Sequence, residues 1–355
     1  MSALTLFGVT QSRLGDLRVS VLSHSHPCAR TEGVSLYATQ NPVVRTRASR
    51  PSSSRLGPVF CDDRGFMMPR FADYIMELGR FAADGQSRIG IFEDGYVRDI
   101  TAAFDSFRDA LADPARAAQQ DGDRFDRDDI TYLPPTTSQN TVFCAALNYQ
   151  KHAEESGRSV PERPYLFLKL PRSLVGHQQP VSYHSSVTDK IDYEGELACV
   201  IGTTCRNVSP DEALDHVAGY TMLNDVSARD LQLSFSYDNE EMLDWFAGKA
   251  MQSTTPIGPT VVCDEIDDPQ TLGLASRVNG TTMQDESTEM MIYSVAKLVS
   301  YISELVELKP GDVITTGTPE GVGVFQDISL EPGDDVEVEI EGLGTLRNTV
   351  AEAER

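Results

Sequence analysis

Asp192-Tyr193-Glu194-Gly195-Glu196 puts three carboxylates into five residues, and the apolar run LACVIG follows directly. On a strand that already includes Glu194, side chains repeat every two residues, so Glu194 and Glu196 share a face. Two adjacent carboxylates beside a core repel each other unless a cation neutralises them. Gly195 removes bulk on the opposite face. A third acid, Asp225, ends the apolar stretch GYTMLND. Three converging oxygens suit Mg²⁺ or Mn²⁺, with waters completing an octahedron. A ligand set without Cys or His is unlike structural zinc. The competing reading is a solvated strand end, because 54 acids make such pairs common. Asp192 could replace Glu196 as a ligand, but it opens the segment and is expected to face solvent or a turn.

A general base lies earlier in the chain. His152, one of six His, sits in NYQKHAEE just after a strand-like run. If a helical turn begins there, Glu155 faces it three residues on. A carboxylate on one ring nitrogen fixes the tautomer and raises basicity, as activation of water requires. An ordinary surface turn is the plainer alternative. Lys249 lies in WFAGKAMQ, among apolar residues and Gly, in a chain with six Lys. It could hold a carboxylate or a developing enolate; taken alone, a surface Lys is the simpler account. In Gly317-Thr318-Pro319-Glu320-Gly321-Val322-Gly323, backbone N–H groups and the Thr hydroxyl could bind an oxyanion.

The elements that must carry these groups are mostly strands. TVFCAALNY, PYLFLKL, LACVIGT, VAGYTMLND and PTVVCDE all read as strands, and DVITTGTP, DDVEVEIEG and LGTLRNTV alternate with Gly-rich turns. Apolar residues at three- and four-residue spacing predict a helix over 288–306. RIGIFEDGYVRDIT (88–101) reads as strand, turn, strand. Residues 102–112 suit a short helix, and the Asp-rich stretch 113–130 resembles a linker. The expected layout is a leader at 1–66, a small N-terminal module at 67–130 and a catalytic domain at 131–350. The balance is mainly β with some α. It lacks the regular βαβ rhythm of a doubly wound fold. No GxGxxG follows a strand and no Walker sequence occurs, so dinucleotide and nucleoside triphosphate sites have no support.

The 355 residues carry a formal net charge of −24, which disfavours nucleic acid as a partner. No apolar run is long enough for a membrane span. Six scattered Cys without a CxxC read as thiols in a reducing, cytoplasmic setting. The first 61 residues differ, with seven Arg and two acids. They suit a disordered leader, a transit peptide or a mistaken start ahead of Met67 or Met68.

Seven blocks, in order, resemble the fumarylacetoacetate hydrolase superfamily: LNYQKHAEE, YLFLKLPRSLVG, DYEGELACVIG, AGYTMLNDVSARDLQ, VNG with Gln284, LKPGDVITTGTPEGVG and IEGLGTLRNTV. They span about 141–350. The resemblance implies a mixed β-roll or β-sandwich with a small N-terminal α+β module, usually a homodimer. It implies Glu194, Glu196 and Asp225 as ligands of Mg²⁺ or Mn²⁺, with His152, Glu155 and Lys249 as catalytic residues. It makes Tyr149, Arg229, Gln232 and Thr318 substrate-side positions, with Tyr149 and Lys169 one layer back. The implied chemistry is hydrolysis of a C–C bond in a 2,4-dioxo acid, releasing pyruvate or a similar 2-oxo acid. Decarboxylation, isomerisation or hydration on the same scaffold is the alternative. Residues 237–248 resemble a lid segment of members acting on sugar-derived dioxo acids. One departure stands out: Ala250-Met251-Gln252 follows Lys249, where the family commonly has a Ser or Asn donor and then Phe.

Overall fold

The computed structural model describes residues 75–354 except Asn239 and Asp264. The expected leader and the first residues of the small module lie outside that range.

Twelve strands form one sheet. From one edge it runs Arg124–Asp126, Tyr96–Asp99, Gln86–Glu93, Met76–Ala83, Thr255–Cys263, Val217–Asn224, Gly195–Ile201, Val313–Thr315, Val142–Ala146 and Tyr165–Lys169. Thr131–Leu133 and Leu174–Val175 pair off this path. The strands of the N-terminal module continue the sheet, since Met76–Ala83 pairs with Thr255–Cys263. A second sheet of five strands orders Thr281–Ser287, Gly273–Val278, Asp335–Ile340, Gly344–Glu352 and Val181–Tyr183. With its few short helices, this is the mainly β roll, with a smaller α+β region, expected from the sequence.

Gly195–Ile201 is buried at every position. Leu197, Cys199 and Ile201 join a core shared with Leu274, Val338 and Leu346 of the smaller sheet and the helix Val295–Leu305. Ala198 and Val200 join a second core with Leu78, Ile91 and Phe107. Burial on both faces explains the unbroken apolar run. Gly195 needs its missing side chain: a Cβ there would lie 2.2 Å from Ser276 Oγ.

Two local expectations change. The helix begins at Val295, where Ser294 caps it by accepting from Lys297 N–H, instead of at 288. Asn148 explains the later start. Its carbonyl accepts from Ile292 N–H and its side-chain oxygen from Tyr293 N–H, holding those residues out of the helix. The stretch 113–130 is structured as well: it contains the helix Pro114–Ala118 and the edge strand Arg124–Asp126. Asp113 caps that helix and Pro114 suits its first turn. Among the described residues no helix is long and apolar enough to cross a membrane.

Candidate active site

The strand carrying Glu196 starts at Gly195, one residue later than the even spacing implied. Glu194 is held by backbone bonds across the strand pair instead. Its N–H donates to Asn224 Oδ1 at 2.9 Å and its carbonyl accepts from Asp225 N–H at 2.7 Å. Glu194, Glu196 and Asp225 therefore converge, with one oxygen from each lying within 4.8 Å of the others. All three are buried.

Two lysines and one arginine surround them. Lys249 Nζ donates to Glu194 Oε2 and to Asp225 Oδ2, both at 2.7 Å. Lys169 Nζ lies 2.7 Å from Asp225 Oδ1 and donates to the Val226 carbonyl. Arg229 Nη2 donates to Glu194 Oε1 at 2.5 Å. Burial opposes ionisation of Glu194, but Lys249 and Arg229 outweigh it and hold the carboxyl well below its usual range. Burial also opposes the charge on Lys249, yet Asp225 and Glu194 keep its pKa raised. Glu196 goes the other way: burial, then the charges of Asp225 and Glu194, push it well above the carboxylate range. An all-oxygen, buried donor set with one carboxyl crowded by its neighbours fits a hard divalent cation. The cluster could coordinate one through Glu194, Glu196 and Asp225.

Glu194, Glu196, Asp225, Lys249 and Arg229 line a cavity of about 140 Å³ together with His152, Gln232 and Thr318. Phe167, Trp245 and Phe325 are among its apolar walls. His152 lies in the short helix Gln150–Glu155 and is 9% exposed. Its Nδ1 is 3.3 Å from Glu155 Oε2. A carboxylate at Nδ1 selects the tautomer protonated there and leaves Nε2 as the basic nitrogen. Gln232 accepts from Arg229 Nη1 at 2.9 Å. Tyr149 is buried but does not border the cavity. The segment 237–248 holds the short strand Glu240–Glu241 and the helix Trp245–Lys249, whose Trp245 stacks on Phe167.

Of the two expectations for Asp192, solvent or a turn, the turn holds. It does not face solvent; it is 1% exposed and pairs with Arg229 Nε at 2.7 Å. The Gly-rich turn also differs from expectation in its ligands. The oxyanions it binds are the protein's own carboxylates: Gly317 N–H donates to Glu196, Gly321 N–H to Glu155, and Gly323 and Val324 N–H to Asp192. Gly317 has φ of 83°, a conformation that favours glycine. Thr318 Oγ1 donates to the Gly195 carbonyl and accepts from Gln284 Nε2 at 2.7 Å. Lys169, which the resemblance places one layer back, ends the apolar strand YLFLK and meets Asp225 from there.

The sequence model of the family described as fumarylacetoacetate (FAA) hydrolase C-terminal matches residues 141–351. A 2,4-didehydro-3-deoxy-L-rhamnonate hydrolase of Sphingomonas sp. is 39% identical over 78% of this chain and 96% of its own length. A mitochondrial oxaloacetate tautomerase of Xenopus laevis is 39% identical over 63% of this chain and 69% of its own. The crystal structure of a fumarylpyruvate hydrolase from Pseudomonas aeruginosa, in complex with Mn²⁺ and pyruvate, is 34% identical. It superposes with a TM-score of 0.55 over 60% of this chain and 90% of that one.

Proposed function

The chain belongs to the fumarylacetoacetate hydrolase family, and from that premise we propose that it hydrolyses a C–C bond in a 2,4-dioxo acid and releases pyruvate or a similar 2-oxo acid. The observation that carries this reading is the His152–Glu155 pair beside the same cavity as three buried carboxylates. One half equips the site to activate water and the other to bind an oxo acid.

Glu194, Glu196 and Asp225 would hold Mg²⁺ or Mn²⁺, which would supply positive charge to polarise the substrate's oxo group. Glu155 keeps the proton of His152 on Nδ1, and Nε2 takes a proton from water. The hydroxide adds to the carbonyl carbon distal to the 2-oxo acid end. The bond from that carbon to the central carbon breaks, and its electron pair passes to the 2-oxo acid fragment as an enolate. Lys249 provides positive charge against that enolate. The proton held by His152 then returns to the carbon. Arg229, Gln232 and Thr318 form the substrate side of the same cavity.

A second reading is decarboxylation, isomerisation or hydration of an oxo or dienoic acid. It is favoured by Ala250 and Met251, which follow Lys249 and offer no side-chain donor. The tautomerase relative supports it too. Product analysis separates the two. The protein is stripped of metal, restored with Mg²⁺ or Mn²⁺ and given acylpyruvates, sugar-derived 2,4-dioxo acids and oxaloacetate. Metal-dependent pyruvate with a matching new carboxylic acid is expected. Carbon dioxide or an unsplit isomer, without the acid, assigns the second reading.

The protein we propose is a cytoplasmic homodimer. Cys144, Cys199 and Cys205 are free and buried, which suits a reducing compartment. The edge strand Tyr165–Lys169 leaves Leu168 55% exposed, an apolar edge that a second copy would cover. Sedimentation at the monomer mass would remove the dimer.

A further inference from the structure

One buried carboxylate beside the site has no part in the chemistry above. Asp192 Oδ1 accepts from Tyr193 N–H at 2.8 Å and from Gly323 N–H at 2.7 Å. Its Oδ2 accepts from Arg229 Nε at 2.7 Å and from Val324 N–H at 3.2 Å. All four groups facing it are donors. Each side of this knot leads to a different half of the site. Through Arg229 it reaches Glu194, which Nη2 contacts at 2.5 Å. Through the turn it reaches the base, because Gly321 N–H donates to Glu155 Oε1 at 3.1 Å. Phe325, at the end of the turn, has its ring 6.1 Å from that of His152. The turn is shaped for the contact: a Cβ on Gly323 would lie 2.7 Å from Asp192 Oδ1 and 2.5 Å from the Ile328 carbonyl.

We propose that Asp192 is a positioning residue that clamps the Gly321–Phe325 turn to Arg229 and so sets the His152–Glu155 pair against the carboxylate cluster. A buried counter-ion needed only for stability would have to face Arg229 and nothing more. Asp192 instead spends half its acceptor capacity on the turn. Asparagine fills the same volume but has one acceptor oxygen, so its amide must face either Gly323 and Tyr193 or Arg229 and Val324, donor against donor. The kinetic consequence rests on the hydrolytic reading; the mechanical one does not.

The test uses the full chain carrying Asp192→Asn, with Mn²⁺ present. Hydrogen exchange followed by mass spectrometry is expected to quicken in peptides covering 320–326 and 150–156, while the helix 295–305 keeps its wild-type protection. On whichever substrate the product analysis selects, kcat is expected to fall roughly 10- to 100-fold while KM moves much less. Exchange that quickens only in 320–326, or equally throughout the chain, overturns the proposal. So does a kcat per folded molecule within threefold of wild type. If the Asn variant does not fold, Asp192→Glu, which keeps the charge but displaces the oxygens, is judged by the same outcomes. If wild type hydrolyses nothing on the panel, the functional reading fails while the exchange result still decides the clamp.

Discussion

In the buried centre, Glu194, Glu196 and Asp225 crowd within 4.8 Å of one another, and the side chains of Lys169, Lys249 and Asp225 are at most 2% exposed. Along the smaller sheet, Asp335 and Glu339 meet Arg347 and Arg277 at 2.7 and 2.6 Å and Glu337 lies 3.6 Å from Arg347, but the acids are 27 to 49% exposed. Both regions pair carboxylates with basic side chains, lysines in the centre and arginines on the surface, and they differ most in access to solvent. In water a charge pair replaces good hydration with a contact of similar worth, so its net value is small. In the interior each unpaired charge keeps its full desolvation penalty. An acidic composition by itself therefore says little; what matters is which acids are denied water. Such acids hold a chemistry that surface acids cannot, because their charge has to be met by a fixed partner or by a bound cation.

The largest expected effect removes one of those buried charges. Glu196→Gln should lower kcat/KM at limiting Mg²⁺ by about 10³-fold, on the order of 4 kcal/mol of transition-state stabilisation. Unchanged activity under those conditions would sink Glu196 as a ligand. Next is Lys169→Met, which leaves Asp225 short of a partner. In chelator-treated protein, urea denaturation should show a loss of roughly 3 kcal/mol or more. Adding Mg²⁺ should recover part of it, because a cation bound only by the folded state restores positive charge and stabilises that state. If Mg²⁺ restores nothing, the two cations are not interchangeable at Asp225 and the contrast with the surface sheet weakens.

How much of this was readable beforehand depends on how local the cause is. Glu194, Glu196 and Asp225 were legible because each adjoins an apolar strand, and an acid that must enter a core needs a reason. The fold class was legible for a similar reason: strands such as LACVIG announce themselves through burial on both faces. Asp192 was not legible. Ile191 and Tyr193 beside it are buried in a core, but the donors that bury its carboxylate, Arg229 and Gly323, lie far along the chain. Lys169 was legible only through the resemblance, which set it one layer back; its contact with Asp225 forms once the strands have assembled. The helix start failed because spacing at 288–294 looked helical, while Asn148, distant in sequence, claims that backbone. Local propensity loses wherever a distant partner saturates the hydrogen bonds first.

His177 tests whether the outer region is uniformly solvent-like. It meets the surface sheet through Nδ1, which accepts from Arg347 N–H at 3.1 Å, and its ring packs edge-on against Tyr132. Burial, with Arg127 and Arg347 nearby, lowers its pKa from 6.5 to about 4. The unfolded chain therefore binds a proton below pH 6.5 that the folded chain refuses until about pH 4. The stability this neutral His permits is complete above pH 6.5 and declines as pH falls to 4. Relative to wild type, His177→Asn should flatten the loss across that window, by roughly 2 kcal/mol at most. Parallel stability-against-pH curves for the two proteins would return His177 to the solvent-like class.

The smallest effect belongs to Arg277, whose Nη1 lies 2.6 Å from Glu339 Oε2, the Arg half-buried and the Glu exposed. Arg277→Ala should cost less than about 1 kcal/mol in urea denaturation. What remains should be mostly long-range: the variant removes one positive charge from a chain of net charge −24, adding to self-repulsion that salt screens. The difference from wild type is thus expected to shrink towards zero as NaCl rises to about 1 M, where the Debye length is roughly 3 Å. The Lys169→Met deficit in chelated protein should survive the same salt, because a buried pair in direct contact is screened much less than an exposed one. If both deficits fade together, burial is not what separates the two regions. If the Arg277 deficit persists in high salt, the surface pair is held by packing of the Arg stem along the sheet.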